Sequence, residues 1–420
     1  MNARRNNTRP VKARGVAKGQ ASDLAGAAVA RFGGWLNTTF RGQSREFNQL
    51  LGVVVFMVIF GLVMVLSASY VVALSSNSDA YSIFNKQLIS AVAGFVMLGV
   101  LSRTPVIALQ KLAPIFYVAF LVVQLIVLFF GTSVYGNKNW IKIFGVSVQP
   151  SEFLKLALVL VIAGTLYQRR DYFDDFMNSW MFPLGAMAAA TGLVLAGKDL
   201  GTGMVMFGLS FVLMILAGMP TKLIWMVLVP VILIVGVMAN TGSRKARIFA
   251  WLNPDAPDPT DVSWQAKHGI WALAAGGFSG TGLGDSKMKW SWVPMIDNDY
   301  IFSVVGEELG LAGGAILIGL YVFLAFALIR ILNRTNRLYE RFIMYGILSW
   351  ITIQSLINIG VVLNFLPVLG VPLPLISSGG TSLVATLMTL GIALGIERRN
   401  GTGQVTRATR NRTRSAVSTR

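Results

Sequence analysis

The 420-residue chain contains no cysteine and a single histidine, His268. Disulfides and thiolate chemistry are therefore excluded, and a zinc site, which draws on several such ligands, is disfavoured. Charge is scarce too, at 13% of residues, and acid is the scarcer sign, with 18 Asp and Glu against 36 Lys and Arg. What fills the chain is apolar: 54% of residues are hydrophobic and the mean hydropathy is positive. A water-soluble globule has no way to hide that much apolar surface, so the sequence reads as an integral membrane protein.

Its apolar runs are near the ~20 residues that a helix needs to cross hydrocarbon. A barrel strand would alternate over roughly 10 positions, whereas Leu50 to Leu74 is apolar almost throughout. The expected fold is all-α, an integral membrane protein with about ten transmembrane helices. They are drawn at 50–74, 87–102, 112–131, 152–167, 180–197, 203–219, 222–240, 301–332, 342–364 and 380–396. A basic arm (1–47) precedes a membrane domain (48–397), whose large extracytoplasmic loop is 241–300, and a basic tail (398–420) follows. Both ends have the composition of disordered segments.

The net charge of +18 sits in those ends and in short loops, so it marks topology, not a nucleic-acid face. With the amino terminus inside, 25 of the 36 basic residues fall on the cytoplasmic side, as the positive-inside rule requires. The apolar run after the arm is too late and too long for a signal peptide.

On this topology the unusual chemistry gathers at four outward joints. In Pro150-Ser151-Glu152-Phe153-Leu154-Lys155, Ser151 can cap a helix, Lys155 is close enough to Glu152 for an ion pair, and inside the apolar boundary it needs a partner from another helix or a ligand phosphate. Lys198-Asp199-Leu200-Gly201 is either a plain turn closed by the Lys–Asp pair or an anion site at a helix start. The large insert holds Arg247, Gln265, His268, five of the ten tryptophans, and Lys287 and Lys289, the two lysines being either solvated or placed for a diphosphate. His268 reads as a hydrogen-bonded structural residue before it reads as a base. Gly280-Thr281-Gly282-Leu283-Gly284 lacks the strand, helix and lysine of a nucleotide loop. The last joint, Pro367 to Gly380, is too proline-rich for helix and too apolar for water; it reads as a re-entrant, cavity-lining segment that includes Ser377, Ser378, Gly379 and Gly380.

Asp297 and Asp299 stand immediately before an apolar span. An acid there costs free energy unless a substrate, cation or proton uses it, and Asp299 is the expected working carboxylate. An extended backbone would point both acids one way and raise one pKa, whereas a turn would separate them. Glu307 and Glu308 are rivals, better suited to internal hydrogen bonds.

In combination and order, Gln149 to Lys155, Asp199-Leu200-Gly201-Thr202, Asn253-Pro254 with Gln265, Gly282-Leu283-Gly284, Asp299-Tyr300-Ile301-Phe302, Gly306 to Gly310, Asn358-Ile359-Gly360 and the 367–382 segment resemble the SEDS family (shape, elongation, division, sporulation). Within it the long basic arm and Pro372-Leu373-Pro374 lean to the division branch. The resemblance covers nearly all of residues 50–397 and implies a glycosyltransferase that polymerises lipid II into peptidoglycan strands. It also implies a multi-pass protein of the bacterial inner membrane with both termini cytoplasmic, acting at the division septum beside a class B penicillin-binding transpeptidase and other divisome membrane proteins. The family's catalytic aspartate falls on Asp299; Asp297 replaces the family's usual His, and Tyr300 its Phe.

Under that resemblance, Asp299 deprotonates an acceptor hydroxyl and the sugar is transferred with inversion from an undecaprenyl diphosphate. Arg247, Lys155 and Lys198, with Glu152, Asp199, Gln265, Lys287, Lys289 and the 377–380 segment around them, form the substrate site. A divalent cation, Mg or Mn, is the one candidate cofactor. The alternatives are a flippase for a lipid-linked precursor, or a non-catalytic divisome scaffold.

Overall fold

The computed structural model describes residues 43–418 apart from 76–78, 135–136, 144–145, 240–241, 254–263 and 290–295. The basic arm up to residue 42, and Pro254, Trp290 and Trp292, lie outside the described residues.

Three helices open the membrane unit: α1 (Arg45–Ser75), α2 (Ser82–Arg103) and α3 (Val106–Phe130). A three-stranded antiparallel sheet comes next, β1 (Thr132–Val134), β2 (Asn137–Ile143) and β3 (Val146–Val148), in that order. Then come α4 (Pro150–Gln168), α5 (Met181–Ala196), α6 (Leu200–Leu216), α7 (Thr221–Ala239), α8 (Gly242–Leu252) and α9 (Trp264–Ala275). The chain ends with α10 (Ile301–Arg334), α11 (Leu338–Val362) and α12 (Gly380–Ser418).

Every apolar run drawn on the sequence is a helix, and the all-α membrane class holds. Among the described residues eight helices are long and apolar enough to cross a bilayer; α6 and the apolar part of α7 are shorter. At 1.5 Å per residue, the 17 residues of α6 reach about 25 Å, less than the ~30 Å of hydrocarbon. Two further features depart from the sequence reading. The joint before α4 carries the small sheet, and α12 continues as helix through Ser418, past the start of the expected disordered tail at residue 398. Once a helix is nucleated, each further residue adds a bond at little cost.

The core is built around α4, which is buried along almost all of its length and packs against α3, α5, α6, α11 and α12. Outer helices such as α2 and α3 turn most of their apolar surface outward, as lipid-facing helices do.

Helix α10 is interrupted near its start. Inside it, Gly310 has φ +69°, outside the helical region. The carbonyls of Glu307 and Glu308, freed by the break, accept from the N–H groups of Thr281 (3.0 Å) and Gly282 (3.1 Å). Beyond the break the N–H groups of Leu311 and Ala312 donate to Gly277 (2.9 Å) and Phe278 (3.2 Å). The glycine-rich loop is thus stitched into the gap, which accounts for Gly280-Thr281-Gly282 without any nucleotide. The fit is tight: a Cβ on Gly276 would stand 1.9 Å from the Gly306 carbonyl oxygen. Gly276→Ala should therefore lower stability by about 1–3 kcal/mol or more. Gly192→Ala, which meets nothing within 4 Å, should be neutral. Thermal unfolding of the two purified variants in one detergent checks the contrast, and equal midpoints would contradict it.

Candidate active site

The four polar joints meet at one end of the bundle. From β2, Asn139 donates to the Asp199 carboxylate (2.6 Å), and Lys138 N–H donates to the Gly197 carbonyl (3.0 Å). Gln149, just before α4, reaches the same carboxylate (3.5 Å), and its N–H reaches the Thr381 hydroxyl (3.4 Å). Leu369 of the proline-rich segment lies directly on Gly201. From α8, Arg247 donates to the Val368 carbonyl (3.5 Å) and Trp251 to that of Asn364 (2.8 Å).

Asp299 sits where these strands of chain converge, and its backbone is fixed with unusual completeness. Three successive carbonyls accept hydrogen bonds from one side of the site: Asp297 from Ser378 N–H (2.9 Å), Asn298 from Ser377 Oγ (2.6 Å) and Asp299 from Asn358 Nδ2 (2.9 Å). Asn358 also binds the Val371 carbonyl (2.7 Å), and Ser377 Oγ accepts from Leu373 N–H (2.8 Å). The 371–378 segment and residues 297–299 are therefore one rigid piece. Gly370 faces the Asp299 Oδ2.

The side chain is held less tightly than the main chain. Asp299 Oδ1 is buried with no hydrogen-bond partner among the described residues, and the residue makes no ion pair there. Asn298 Oδ1, Asn358 Oδ1 and the Tyr300 hydroxyl are orphaned in the same way. Four such atoms gather around one loop, so a polar ligand seated there would find unmet hydrogen-bond partners.

Burial pushes the Asp299 carboxyl up to about 7, helped by the negative charges of Asp199 and then Asp297. Burial also raises Asp199, against the stabilising bonds from Thr202, and raises Asp297, against a hydrogen bond from Ser378. The sequence alone points to Asp297 as the source of any perturbation of Asp299. Burial is the larger cause and Asp199 acts before Asp297; residues 296–300 form a turn, not an extended strand.

The cations divide. Arg247, Lys198 and Lys287 are exposed, as ligand-binding cations must be. Lys155 is not: at 1% exposure it is paired with Glu152 (2.9 Å), bonded to Gln354 (2.8 Å) and set over the Trp350 ring (4.8 Å). Gln354 in turn donates to the Pro372 carbonyl (2.9 Å). The pair thus braces α4 against α11 and the proline-rich segment, with both side chains buried. Lys289 is likewise buried, paired with Glu308 (3.4 Å) and bonded to the Gly284 carbonyl. The Glu152–Lys155 pair is legible in the sequence from its three-residue spacing, whereas Gln354 for Lys155 and Glu308 for Lys289 come from other helices and are not.

Other expectations resolve locally. Ser151 does not cap α4, which starts at Pro150, whereas Asp199 caps α6 through Thr202 N–H (2.9 Å). That leaves no Lys198–Asp199 ion pair among the described residues. His268 is a packing residue: its Nδ1 lies 2.8 Å from the Trp264 carbonyl, and its ring sits between Trp264 and Trp271. Gln265, on α9 beside it, is half-buried and makes its own polar contacts. Glu307 accepts from Ser286 and from Lys287 N–H (2.8 Å); Glu308 Oε1 accepts from Ser67 (2.5 Å) and pairs with Lys289, while its Oε2 is buried without a partner among the described residues, so the rival acids differ from Asp299 in being tied to a hydroxyl or a cation. Gly379 and Gly380 start α12 beside Asn298 and Ser90. Asn358 is a site residue that the sequence reading gives only as part of the Asn358-Ile359-Gly360 motif, without a role at the site. Among the described residues no three Asp, Glu or His side chains converge into a metal-binding set.

The model of a family of cell cycle proteins, that of FtsW, RodA and SpoVE, matches residues 48–401. A probable peptidoglycan glycosyltransferase FtsW of Mycobacterium tuberculosis is 33% identical over 391 residues, 91% of this chain and 73% of that protein. Stage V sporulation protein E of Bacillus subtilis is 33% identical over 352 residues, 83% of this chain and 96% of the relative. Among solved structures, a chain of a peptidoglycan synthase complex that coordinates polymerization and crosslinking superposes with a TM-score of 0.70. Its identity is 27%, and the match covers 84% of this chain and 97% of that one. The rod shape determining protein RodA of Thermus thermophilus gives 0.62 at 26% identity, covering 86% and 98%.

Proposed function

The chain belongs to the FtsW, RodA and SpoVE family of cell cycle proteins, a bacterial membrane protein and a peptidoglycan glycosyltransferase; from that premise we propose that it polymerises lipid II by inverting transfer with Asp299 as the general base. The observation that carries this reading is the Asp299 carboxyl itself, rigidly mounted, unpaired, and poised at about 7. A base works best with a pKa near the operating pH.

In the proposed step the acceptor GlcNAc 4-hydroxyl gives its proton to Asp299 as its oxygen bonds to the donor's anomeric carbon. The bond from that carbon to the lipid diphosphate breaks on the opposite face, inverting the centre. The leaving diphosphate departs as an anion, so it needs positive charge in place of a general acid. Arg247, Lys198 and Lys287 are exposed cations at this end of the bundle and supply that charge in this proposal. A magnesium or manganese ion would take most of its ligands from the diphosphate, because the protein offers no converging acidic trio among the described residues. A class B penicillin-binding transpeptidase is the proposed partner, since the peptidoglycan synthase complex couples polymerization to crosslinking. The septum is the proposed site of action, with both termini on the cytoplasmic face.

Strand formation by the purified protein from lipid II, alone and with that transpeptidase, tests the proposal. The rate should climb as pH rises through about 7, where Asp299 loses its proton. A rate that is flat between roughly pH 5.5 and 8.5 would remove Asp299 from the role of base. Translocation of a dye-labelled lipid head group without any strand synthesis would favour a flippase instead. Outer-face substitutions that leave division intact would favour a scaffold.

A further inference from the structure

At the far end of the bundle from Asp299 the helices line an open cavity of about 1160 Å³. The two places lie at opposite ends of α4: Glu152 in its first turn is felt electrostatically by Asp199, and Tyr167 near its last residue lines the cavity. Nineteen residues of helix separate its ends by about 28 Å.

Five guanidinium groups line this space: Arg103 ends α2, Arg170 follows α4, Arg337 precedes α11, and Arg398 and Arg399 lie on α12. Within the lining one carboxylate opposes them, and outside it Arg170 also pairs with Asp171 at 3.8 Å. Glu340 is reached by Arg337 at 3.3 Å and by Arg399 at 3.5 Å. Two donors at the wall, Arg399 Nη2 and the hydroxyl of Tyr339, which is 5% exposed, stay unanswered among the described residues, against one unanswered acceptor, Glu340 Oε2. Unpartnered buried donors beside an excess of fixed positive charge call for an anion rich in acceptor oxygens, and guanidinium forks match phosphate. The volume exceeds the ~300–1,000 Å³ of ordinary small-molecule sites, so a head group larger than one phosphate fits.

The wall also has an apolar side. Val106 and Ile107 open α3 there, and exposed apolar side chains continue along that helix at Ile115 and Val118. A second cavity of about 220 Å³ shares Gln110 with the first and lies against Pro114 and Leu160, between α3 and α4. A phosphate at the mouth with hydrocarbon leading away describes a phospholipid, not a soluble anion.

We infer that this cavity binds the phosphate head group of an anionic membrane phospholipid, with acyl chains lying along α3. Basic pockets between helices, on the side where Lys and Arg gather, recognise such head groups.

Native mass spectrometry of the full chain in detergent tests this, with phosphatidylglycerol, diphosphatidylglycerol, phosphatidylcholine and inorganic pyrophosphate as probes. The two anionic lipids should be retained and phosphatidylcholine should not. The double variant Arg103→Gln/Arg170→Gln should weaken retention at least about tenfold. Those two are chosen because Arg337 and Arg399 also hold Glu340. Arg341→Gln, whose guanidinium bonds the Tyr345 hydroxyl (3.2 Å) away from the cavity, should change nothing. Equal retention of the choline lipid, or an unaltered double variant, overturns the inference. So does pyrophosphate binding as tightly as lipid with the same arginine dependence, which would make this a site for soluble anions. If the double variant fails to purify, preference for anionic over choline lipid on the wild-type protein decides.

Discussion

Asp299→Asn should reduce strand formation from lipid II by about 10²–10⁴-fold, the usual worth of a general base, while the protein stays folded in the membrane. Asparagine nearly matches aspartate in shape, and the bonds that mount residues 297–299 go to main-chain carbonyls, which the substitution leaves in place. What goes is the proton acceptor. The same change should act on stability in the opposite direction. The Asp299 pKa is raised on folding from 3.8 to about 7, so the folded state holds the proton more tightly than the unfolded one. Stability is then highest below the unfolded value and falls as pH climbs through about 7, where an ionised, buried carboxylate costs up to a few kcal/mol. Asparagine carries no such charge. The variant should therefore melt above wild type at pH 8, with the gap narrowing toward pH 5.5. Wild-type turnover by Asp299→Asn would end the assignment of the base, and a lower midpoint at pH 8 would show that its carboxylate is stabilised by something the fold does not display.

The second large effect concerns Lys155 and Glu152. Lys155→Met strands a buried carboxylate and should cost about 3–5 kcal/mol, visible as lost expression or a sharply lowered midpoint. Adding Glu152→Gln should restore much of that loss, since removing both charges of a buried pair is often neutral. The double-variant cycle separates two roles that the sequence leaves open. If the pair only braces α4 against α11 and the Pro372 carbonyl, the folded double variant should make strands within about tenfold of wild type. A double variant that folds yet makes no strands would place Lys155 in contact with the substrate diphosphate during turnover.

Much of the fold is legible in the sequence because a membrane imposes so simple a demand. Every backbone polar group must be satisfied within its own segment, so a long apolar run is a helix almost by necessity. That is why Leu50 to Leu74 can be placed within α1 from composition alone. The sheet at 132–148 escapes such reading because its strands are three to seven residues long and gain their meaning from pairing. The break at Gly310 escapes it too, since a glycine in an apolar helix looks like any other until a loop fills the gap it opens.

The candidate site divides along similar lines. Asp299 stands out as an acid at the edge of hydrocarbon with no local partner, a cost that local sequence exposes by itself. The lysines are a harder matter: the spacing offers Lys155 a local partner in Glu152, but only burial shows that Lys155 and Lys289 are enclosed and Lys198 and Lys287 exposed. Composition, apolar run length and the order of polar motifs determined a helical membrane protein, the family, and the acid to watch. The tertiary structure decided which charges are free. A charge is neutralised by whatever lies within a few ångströms of it, and those neighbours, Gln354 for Lys155 and Glu308 for Lys289, are set by packing between helices far apart in the chain.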